Sequence, residues 1–192
     1  SGPAMADVLD KLMSLEIVQK RAPINDPTNK RKSGYFVVDP LSLFYYRYVF
    51  RNASARQLLD PEVFYDRHVF QDFEENYVPH MFEEICRQYL VRQNRTGKIE
   101  PAFDAIGKYW YDDPANKTSG EFDVVTQDPE GYAFYEAKFR KSPVTQKIVD
   151  EEIAQVEATG LKCHRYGFFS RSGFEAGESD RTVFIDLPQM FE

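Results

Sequence analysis

Cysteine and long apolar runs are scarce in this chain of 192 residues, and its 24 lysines and arginines are outnumbered by 31 acids. Cys86 and Cys163 are the only cysteines, which indicates a reducing cytoplasm with free thiols rather than a disulfide-rich secreted scaffold. No apolar run is long enough to cross a bilayer and no signal peptide pattern occurs, so the sequence predicts a cytoplasmic protein without a membrane partner. The formal net charge of −7 disfavours general nucleic-acid binding but permits a local basic patch.

Apolar and aromatic residues, by contrast, are plentiful. Hydrophobic residues make up 42% of the chain and aromatic residues 15%, which is typical of a globular protein and excludes a disordered one. The length predicts one good core, with room for a small appendage. Residues 1–5 are expected to be the remnant of an expression tag that precedes an internal start.

The N-terminal segment, residues 6–50, predicts a helix, a hairpin and a second helix. Apolar residues at helical spacing indicate a helix at 6–15, and two further stretches, 16–22 and 34–39, indicate the strands of the hairpin. Residues 41–50 are dense in aromatics and follow a proline. We therefore expect a buried helix there, which connects this segment to the remainder of the chain.

The loop between the two expected strands is polar and basic, and it contains Lys30, Arg31 and Lys32. A helix followed by a hairpin with a basic tip is the back half of a winged-helix unit, and the two helices that would precede it are missing. We therefore expect a partial winged-helix segment that contacts DNA phosphates through these three residues. The chain is then the C-terminal part of a longer protein. An ordinary solvated surface hairpin is the alternative.

Residues 51–192 predict one α/β domain. The clearest helical pattern lies at 76–93, where apolar residues form one stripe, and a second helix at 146–159 is closed by Gly160. A helix that leads into an antiparallel meander, followed by a crossover helix, gives a mixed sheet flanked by helices. A polar loop is expected at 112–119. Strands are expected at 105–111, 120–126, 132–139, 165–170 and 182–187.

Charged residues on the expected central hairpin form the candidate site. Glu136 and Lys138 are two positions apart in one strand, so their side chains point the same way, and Asp123 on the partner strand can join them. Such a set suits a divalent metal with a lysine beside it, as phosphodiester cleavage requires. Glu83 borders the apolar stripe of the helix at 76–93, and we expect it, rather than Glu84, to lean toward Asp123 as a third acid.

This pattern predicts a role for each residue. Asp123, Glu136 and Glu83 would hold Mg²⁺ or Mn²⁺ through carboxylate oxygens, and Lys138 would stabilise charge on the phosphate or orient the attacking water. Arg140 and Lys141, which follow the strand, would line a track for nucleic-acid phosphates together with Lys138 and Lys147. The alternative is a solvated salt-bridging face, which is the more common meaning of Glu-x-Lys alone in a strand.

The order of Glu83, Asp123 and Glu136-Ala-Lys138 resembles the PD-(D/E)XK nuclease superfamily. More closely, the chain from about Leu12 onward resembles the C-terminal part of a prokaryotic and archaeal family of AAA-type ATPases. The segments that carry this resemblance are Tyr-Phe-Val-Val-Asp-Pro (35–40), Phe-Tyr-Tyr-Arg-Tyr (44–48), Met-Phe-Glu-Glu-Ile-Cys (81–86), Ile-Gly-Lys-Tyr-Trp (106–110), Gly-Glu-Phe-Asp (120–123), Tyr-Glu-Ala-Lys-Phe (135–139) and Phe-Ser-Arg-Ser-Gly-Phe (169–174).

The resemblance implies a restriction-endonuclease-like fold for residues 51–192 and an ATPase domain upstream in the full-length protein. The chain itself has no Gly-x-x-x-x-Gly-Lys-Ser/Thr loop, so ATP-driven work is not expected of this part. Two functions remain open. The first is a metal-dependent nuclease that cleaves nucleic acid, with DNA the favoured substrate. The second is an inactive nuclease-fold module that couples DNA or a protein partner to the ATPase.

Overall fold

The structure is a computed structural model that describes residues 2–113, 118–177 and 179–192. Two compact units are present: the first contains the residues up to Ala22 together with Thr28–Met81, and the second contains Pro23–Pro27 and Phe82–Glu192. Across the described ranges, no helix has both the length and the apolar character needed to span a membrane. The predicted division after residue 50 separates a winged-helix remnant from a nuclease-like domain, and it stays a prediction.

The first unit begins with a helix and a hairpin, as the sequence predicts. Helix α1 is Gly2–Ser14, and strands β1 (Val18–Arg21) and β2 (Gly34–Val37) pair antiparallel. Val18 is buried at the start of β1, which anchors the hairpin. The helix-and-hairpin order is therefore confirmed, while the winged-helix assignment stays a prediction.

The expected connecting helix is present but only one stripe of it is buried. Helix α2 (Pro40–Phe44) continues as a π-helical segment, Tyr45–Phe50. Tyr48 is 2% exposed, whereas Tyr46 and Phe50 are 60% and 61% exposed. The prediction of a buried helix was therefore wrong for most of its aromatic residues. The reason is that aromatic residues occupy the whole circumference of the helix, and only one side can face the core.

Short helical segments complete the first unit. Its core consists of Tyr48, Phe64, Val69 and Tyr77, with further apolar residues packed around them. The elements are α3 (Ala53–Leu58), α4 (Pro61–His68), α5 (Phe70–Asp72), a π-helical segment (Phe73–Tyr77) and α6 (Val78–Arg95), which continues into the second unit.

The second unit is built on a five-stranded mixed sheet, which confirms the prediction of an α/β fold with a mixed sheet. The strand order is β3-β4-β5-β7-β9, with an antiparallel meander followed by two parallel pairs. Within the predicted polar loop at 112–119, residues 114–117 lie outside the described part of the chain. The elements are β3 (Ala105–Asp113), β4 (Thr118–Asp128), β5 (Gly131–Lys138), β6 (Val144–Thr145), α7 (Gln146–Ala158), β7 (Cys163–Ser170), β8 (Phe174–Glu175), β9 (Thr182–Asp186) and a 3₁₀ turn, Pro188–Phe191.

The sheet is covered on both faces. On one face α6 contributes Phe82, Cys86 and Leu90 to a cluster that contains Tyr135 of β5. On the other face α7 contributes to a cluster that contains Phe134, the neighbouring residue of β5. Successive strand residues point to opposite faces, so α6 and α7 lie on opposite sides of the sheet.

Residues Pro23–Pro27 run beside β3 at the edge of this sheet. The Ile24 N–H donates to the Lys108 carbonyl at 2.7 Å, and the Asn25 side chain both donates to the Trp110 carbonyl (2.7 Å) and accepts from its N–H (3.1 Å). These bonds occupy polar groups that an edge strand otherwise leaves open. The segment is not itself a strand, and it belongs to the second unit although sequence reasoning placed it in the hairpin loop.

Candidate functional site

An irregularity between β3 and β4 positions the first group of charges. Gly107 pairs with Val125, whereas Tyr109 pairs with Phe122, so two residues of β4 stand opposite Lys108. This two-against-one arrangement is a β-bulge. The Lys108 ammonium donates to the carboxylate of Glu121 at 2.7 Å and to that of Asp123 at 2.8 Å.

Lys138, the last residue of β5, organises the second group. Its ammonium donates to Glu136 of the same strand at 2.8 Å and to Glu152 of α7 at 2.6 Å. Glu136 and Lys138 thus lie on one side of the strand, as their spacing predicts. Both acids and the lysine are about three-quarters shielded from solvent, with side chains 23–26% exposed. Lys138 is therefore a lysine that is shielded from solvent and lies between two carboxylates.

The two groups are neighbours. Val124 of β4 pairs with Tyr135 of β5, so Asp123 and Glu136 are the next residues beyond that pair. Burial raises the pKa of Glu136 to about 6, the ammonium of Lys138 opposes that rise, and the charges of Glu152 and Asp123 add to it. An acid with this pKa is partly protonated near neutral pH, which is unusual for a glutamate and marks candidate functional sites.

Glu83 is the acid that we expect to lean toward Asp123. It lies on α6, where burial and then the charge of Glu83 raise the pKa of the Cys86 thiol. α6 packs on the sheet face opposite α7, whereas Lys138 contacts α7. Within the described residues there is no group of three or more His, Cys, Asp or Glu side chains that could hold a metal ion. The role of Glu83 as a third ligand therefore stays a prediction.

Glu84, the neighbouring acid, forms an ion pair along α6. Its carboxylate accepts from Arg87 at 2.5 Å. This pair is three residues apart on one helix, a spacing that is typical of helix-stabilising ion pairs. This ion pair is thus local to α6.

Two loops with positive charge flank Lys138. Arg140 and Lys141 are exposed in the loop that follows β5, and the Ser172 hydroxyl donates to the Arg140 carbonyl at 2.7 Å. Arg171, in the loop that follows β7, donates its backbone N–H to the Lys138 carbonyl at 3.3 Å. The ends of β5 and β7 therefore place the backbones of three cationic residues at the end of the sheet where Lys138 lies, and the Arg171 guanidinium packs over the Phe139 ring, 4.6 Å from its centroid.

The basic hairpin residues belong to the first unit. Lys30, Arg31 and Lys32 are exposed. The Asn29 carboxamide oxygen accepts from the backbone N–H groups of Arg31 (2.9 Å) and Lys32 (3.1 Å), a side-chain turn that holds the loop in shape. Their contact with DNA stays a prediction.

Sequence reasoning missed Lys108, Glu152 and Arg171. Gln155 of α7 donates to the Tyr111 hydroxyl at 3.1 Å. Glu152 lies one turn earlier on the same side of that helix. A signal was available, because a crossover helix packs on the strand that precedes it and an acid on its inner side can reach a lysine there. Lys108 gave no such signal, since the bulge that aims it depends on pairing distant in sequence.

Comparisons with known proteins give one family, one protein of similar sequence and one solved structure. A family model described as archaea bacterial proteins of unknown function matches residues 45–154, more than half of the chain. "Uncharacterized protein MJECL04" of Methanocaldococcus jannaschii is 27% identical over 184 residues, which cover 93% of this chain and 40% of that protein. This chain thus spans less than half the length of that relative. A crystal structure of a protein of unknown function, AF1548, matches 53% of this chain and 58% of its own, with 16% identity and a TM-score of 0.31.

Proposed function

The chain belongs to the DUF234 family of archaeal and bacterial proteins of unknown function, and we propose that its second unit is a metal-dependent nuclease-like domain. The reaction is hydrolysis of a phosphodiester bond in nucleic acid, with DNA as the first substrate to test. One observation carries the proposal: Lys138 lies shielded between Glu136 and Glu152, and Asp123 is near enough to influence Glu136.

This arrangement fits the demands of phosphodiester chemistry. The reaction builds negative charge on phosphate oxygens, and a positioned cation stabilises that charge. Lys138 is held by two ion pairs, so its ammonium is fixed in place before a substrate arrives. Arg140, Lys141 and Arg171 supply further positive charge at the same end of the sheet, where they would bind flanking phosphates.

The carboxylates fit a magnesium ion. Mg²⁺ prefers oxygen ligands and is commonly held by one or two carboxylates together with water and substrate phosphates, so two acids are enough. Asp123 and Glu136 are the residues that would hold it, and Glu83 is a candidate third ligand. When bound, the ion would supply an activated water and neutralise charge on the phosphate. The burial that raises the pKa of Glu136 also means that a cation nearby would be favoured.

Glu152 acts as a positioning residue in this proposal. It holds Lys138 from the side of α7 at 2.6 Å, so the lysine has two anchors on two elements. Glu136, with a pKa of about 6, could accept a proton near neutral pH as well as serve as a ligand.

Two finer assignments belong to the same proposal. A restriction-endonuclease-like fold for the second unit is supported by the order of the acids and of Lys138 along the meander and by the sequence motifs around them. A winged-helix remnant in the first unit is supported by the order of α1, β1 and β2. An ATPase domain in the full-length protein, to which this part would be attached, rests on sequence resemblance.

A second function is a binding module without chemistry, which would couple DNA or a protein partner to an ATPase. This function is favoured because Lys108 and Lys138 both already form ion pairs with acids of the same chain. Lys108 is bound by Glu121 and Asp123. A charge group that neutralises itself needs neither metal nor substrate. The net charge of −7 also favours this second function.

Nuclease activity is tested with supercoiled plasmid and single-stranded DNA in the presence of Mg²⁺ or Mn²⁺. We expect Lys138→Ala to lower cleavage by about 100-fold or more, because a transition-state charge loses its partner, while metal binding persists. Asp123→Ala should lose both cleavage and metal binding. Metal binding is read separately, as the rise in melting temperature when the metal is added.

Lys98→Ala is the matched control, because Lys98 is an exposed lysine of the second unit that has no role in the proposal. It should cleave like wild type. A wild-type protein that binds metal yet cuts neither DNA nor RNA would favour the binding module. Wild-type cleavage that survives Lys138→Ala would remove this residue from the proposal.

A further inference from the structure

A large cleft lies entirely within the first unit, and Lys138 is not among the residues that line it. Its volume is about 810 Å³, which is within the range of sites that hold small molecules or parts of larger ligands. The residues that give it its chemistry are Tyr46, Arg47, Arg51, Arg67, His68 and Asp72. Three arginines and one acid make its fixed charge positive, in a chain whose overall charge is negative.

The one acid of the cleft is fully occupied. Asp72 accepts two bonds from the Arg47 guanidinium, at 2.6 and 2.8 Å, one from the Tyr48 hydroxyl at 2.7 Å and one from the Asn76 amide at 3.0 Å. The bond from Arg47 is the largest cause that lowers the pKa of Asp72. This network joins the π-helical segment after α2 to α5 through side-chain hydrogen bonds at the floor of the cleft.

The other two arginines are uncommitted. Arg51 and Arg67 are exposed, and within the described ranges neither forms an ion pair with an acid. Guanidinium groups bind phosphate oxygens through paired N–H donors. Two free guanidinium groups in one cleft are therefore suited to an anion with several oxygens.

Exposed aromatic rings adjoin these arginines. Tyr45, Tyr46 and Phe50 are 44%, 60% and 61% exposed, and their rings contact one another with centroids 5.2–6.3 Å apart. Exposed aromatic residues that touch one another are uncommon on a surface that binds nothing. Tyr46, which is 60% exposed, also lines the cleft, so a flat ligand in the cleft can reach its ring.

We propose that this cleft and its aromatic rim bind single-stranded nucleic acid. Free arginines that contact backbone phosphates, next to exposed rings on which bases stack, are the two components that single-strand binding requires. Duplex DNA hides its base faces and would use only the arginines. The proposal goes beyond the nuclease function, because it needs neither metal nor Lys138.

The experiment measures binding of a fluorescently labelled 15-nucleotide oligo-dT by anisotropy, in EDTA, with the 192-residue chain carrying Lys138→Ala so that no cleavage intervenes. The double variant Arg51→Ala, Arg67→Ala should bind at least about 10-fold more weakly. It should also lower the slope of log Kd against log salt by about 1.4, because each phosphate contact on a single strand contributes about 0.7. Tyr46→Ala should weaken binding with the salt slope unchanged.

Arg56→Ala is the matched control: Arg56 is an exposed arginine of α3 that does not line the cleft, and its removal should leave binding unchanged. Competition by dTMP or inorganic phosphate at equal phosphate concentration should be weak, since each carries a single phosphate and cannot contact several arginines and rings at once. Equal loss in the double variant and in Arg56→Ala would overturn the proposal, as would tighter binding of the matched duplex. Far-ultraviolet circular dichroism confirms that each variant is folded. Because binding is read without metal, a failure of the nuclease proposal leaves this result intact.

Discussion

Two lysines of the five-stranded sheet each hold a pair of carboxylates, and burial is what separates them. The side chains of Lys108, Glu121 and Asp123 are 39%, 48% and 32% exposed. Those of Lys138, Glu136 and Glu152 are 23%, 26% and 24% exposed. The distances are alike, between 2.6 and 2.8 Å in all four pairs. The ion-pair distances alone would therefore not distinguish Lys108 from Lys138 as a candidate site residue.

Burial changes what the same geometry does. Exposed ion pairs contribute little, because water and salt screen them and the side chains lose freedom. Shielded charges interact more strongly, and a partner left behind after a mutation is costly. Removing a charge from the Lys138 group should therefore cost more folding stability. This group also contains Glu136, the acid whose pKa is raised. The Lys108 group is closer to an ordinary surface cluster.

The largest expected effect is on folding stability when the central lysine is removed. Lys138→Met should lower the free energy of unfolding by about 2–3 kcal/mol at pH 7, because Glu136 and Glu152 would face each other without a cation between them. Lys108→Met should lower it by about 1 kcal/mol or less, since its partners are more exposed. Urea unfolding of the two variants beside wild type gives both values.

The two methionine variants serve as controls for each other, because each removes one lysine from the sheet and leaves a side chain of similar length. Equal losses would show that burial does not distinguish the two groups. The loss in Lys138→Met should also shrink at pH 5, where the stranded acids can take up protons.

The second prediction concerns pH and Glu136. Its pKa is 4.5 in the absence of structural effects and about 6 in the folded protein, so the folded state binds more protons than the unfolded state between these values. The stabilisation from protonated Glu136 is complete below about pH 4.5 and is lost as the pH rises through about 6, a loss of about 2 kcal/mol.

Glu136→Gln isolates this contribution, because glutamine does not titrate. The free energy of unfolding of wild type minus that of the variant should fall by about 2 kcal/mol between pH 4.5 and 7. Glu121→Gln removes one negative charge from the more exposed group and is the control. A difference for Glu136→Gln that stays flat over this range would contradict the raised pKa.

Much of this sheet could be predicted from local sequence. The helix at 76–93, the crossover helix at 146–159 and the strands of the meander follow from periodicity and turn residues, because each pattern spans enough positions to be distinctive. The spacing of Glu136 and Lys138 fixed their common side in the same way. The burial of 41–50 could not be predicted, since aromatic content does not say which side of a helix meets a core.

The contacts that define the two charge groups depend on pairing between distant residues. Lys108 reaches Asp123 because of a bulge in the register of β3 and β4, and a one-residue shift in register leaves no local sign. Glu152 reaches Lys138 because α7 returns across the sheet. Which acids meet which lysine is thus decided by tertiary packing, and sequence reasoning supplied only the set of candidates.

The smallest expected effect is also the sharpest comparison, because it measures one ion pair in each group. Double-mutant cycles with Lys138→Met and Glu152→Gln, and with Lys108→Met and Glu121→Gln, isolate the coupling of each pair from the other effects of the substitutions. We expect about 1 kcal/mol for Lys138–Glu152 and about 0.3 kcal/mol for Lys108–Glu121, since the second pair is exposed. Raising the salt concentration from 0.05 to 0.5 M should remove most of the second coupling and leave most of the first, because screening acts mainly on exposed charges. Equal couplings with equal salt dependence would mean that the Lys138 group is an ordinary surface cluster, and the choice of that group as the candidate site would lose its physical basis.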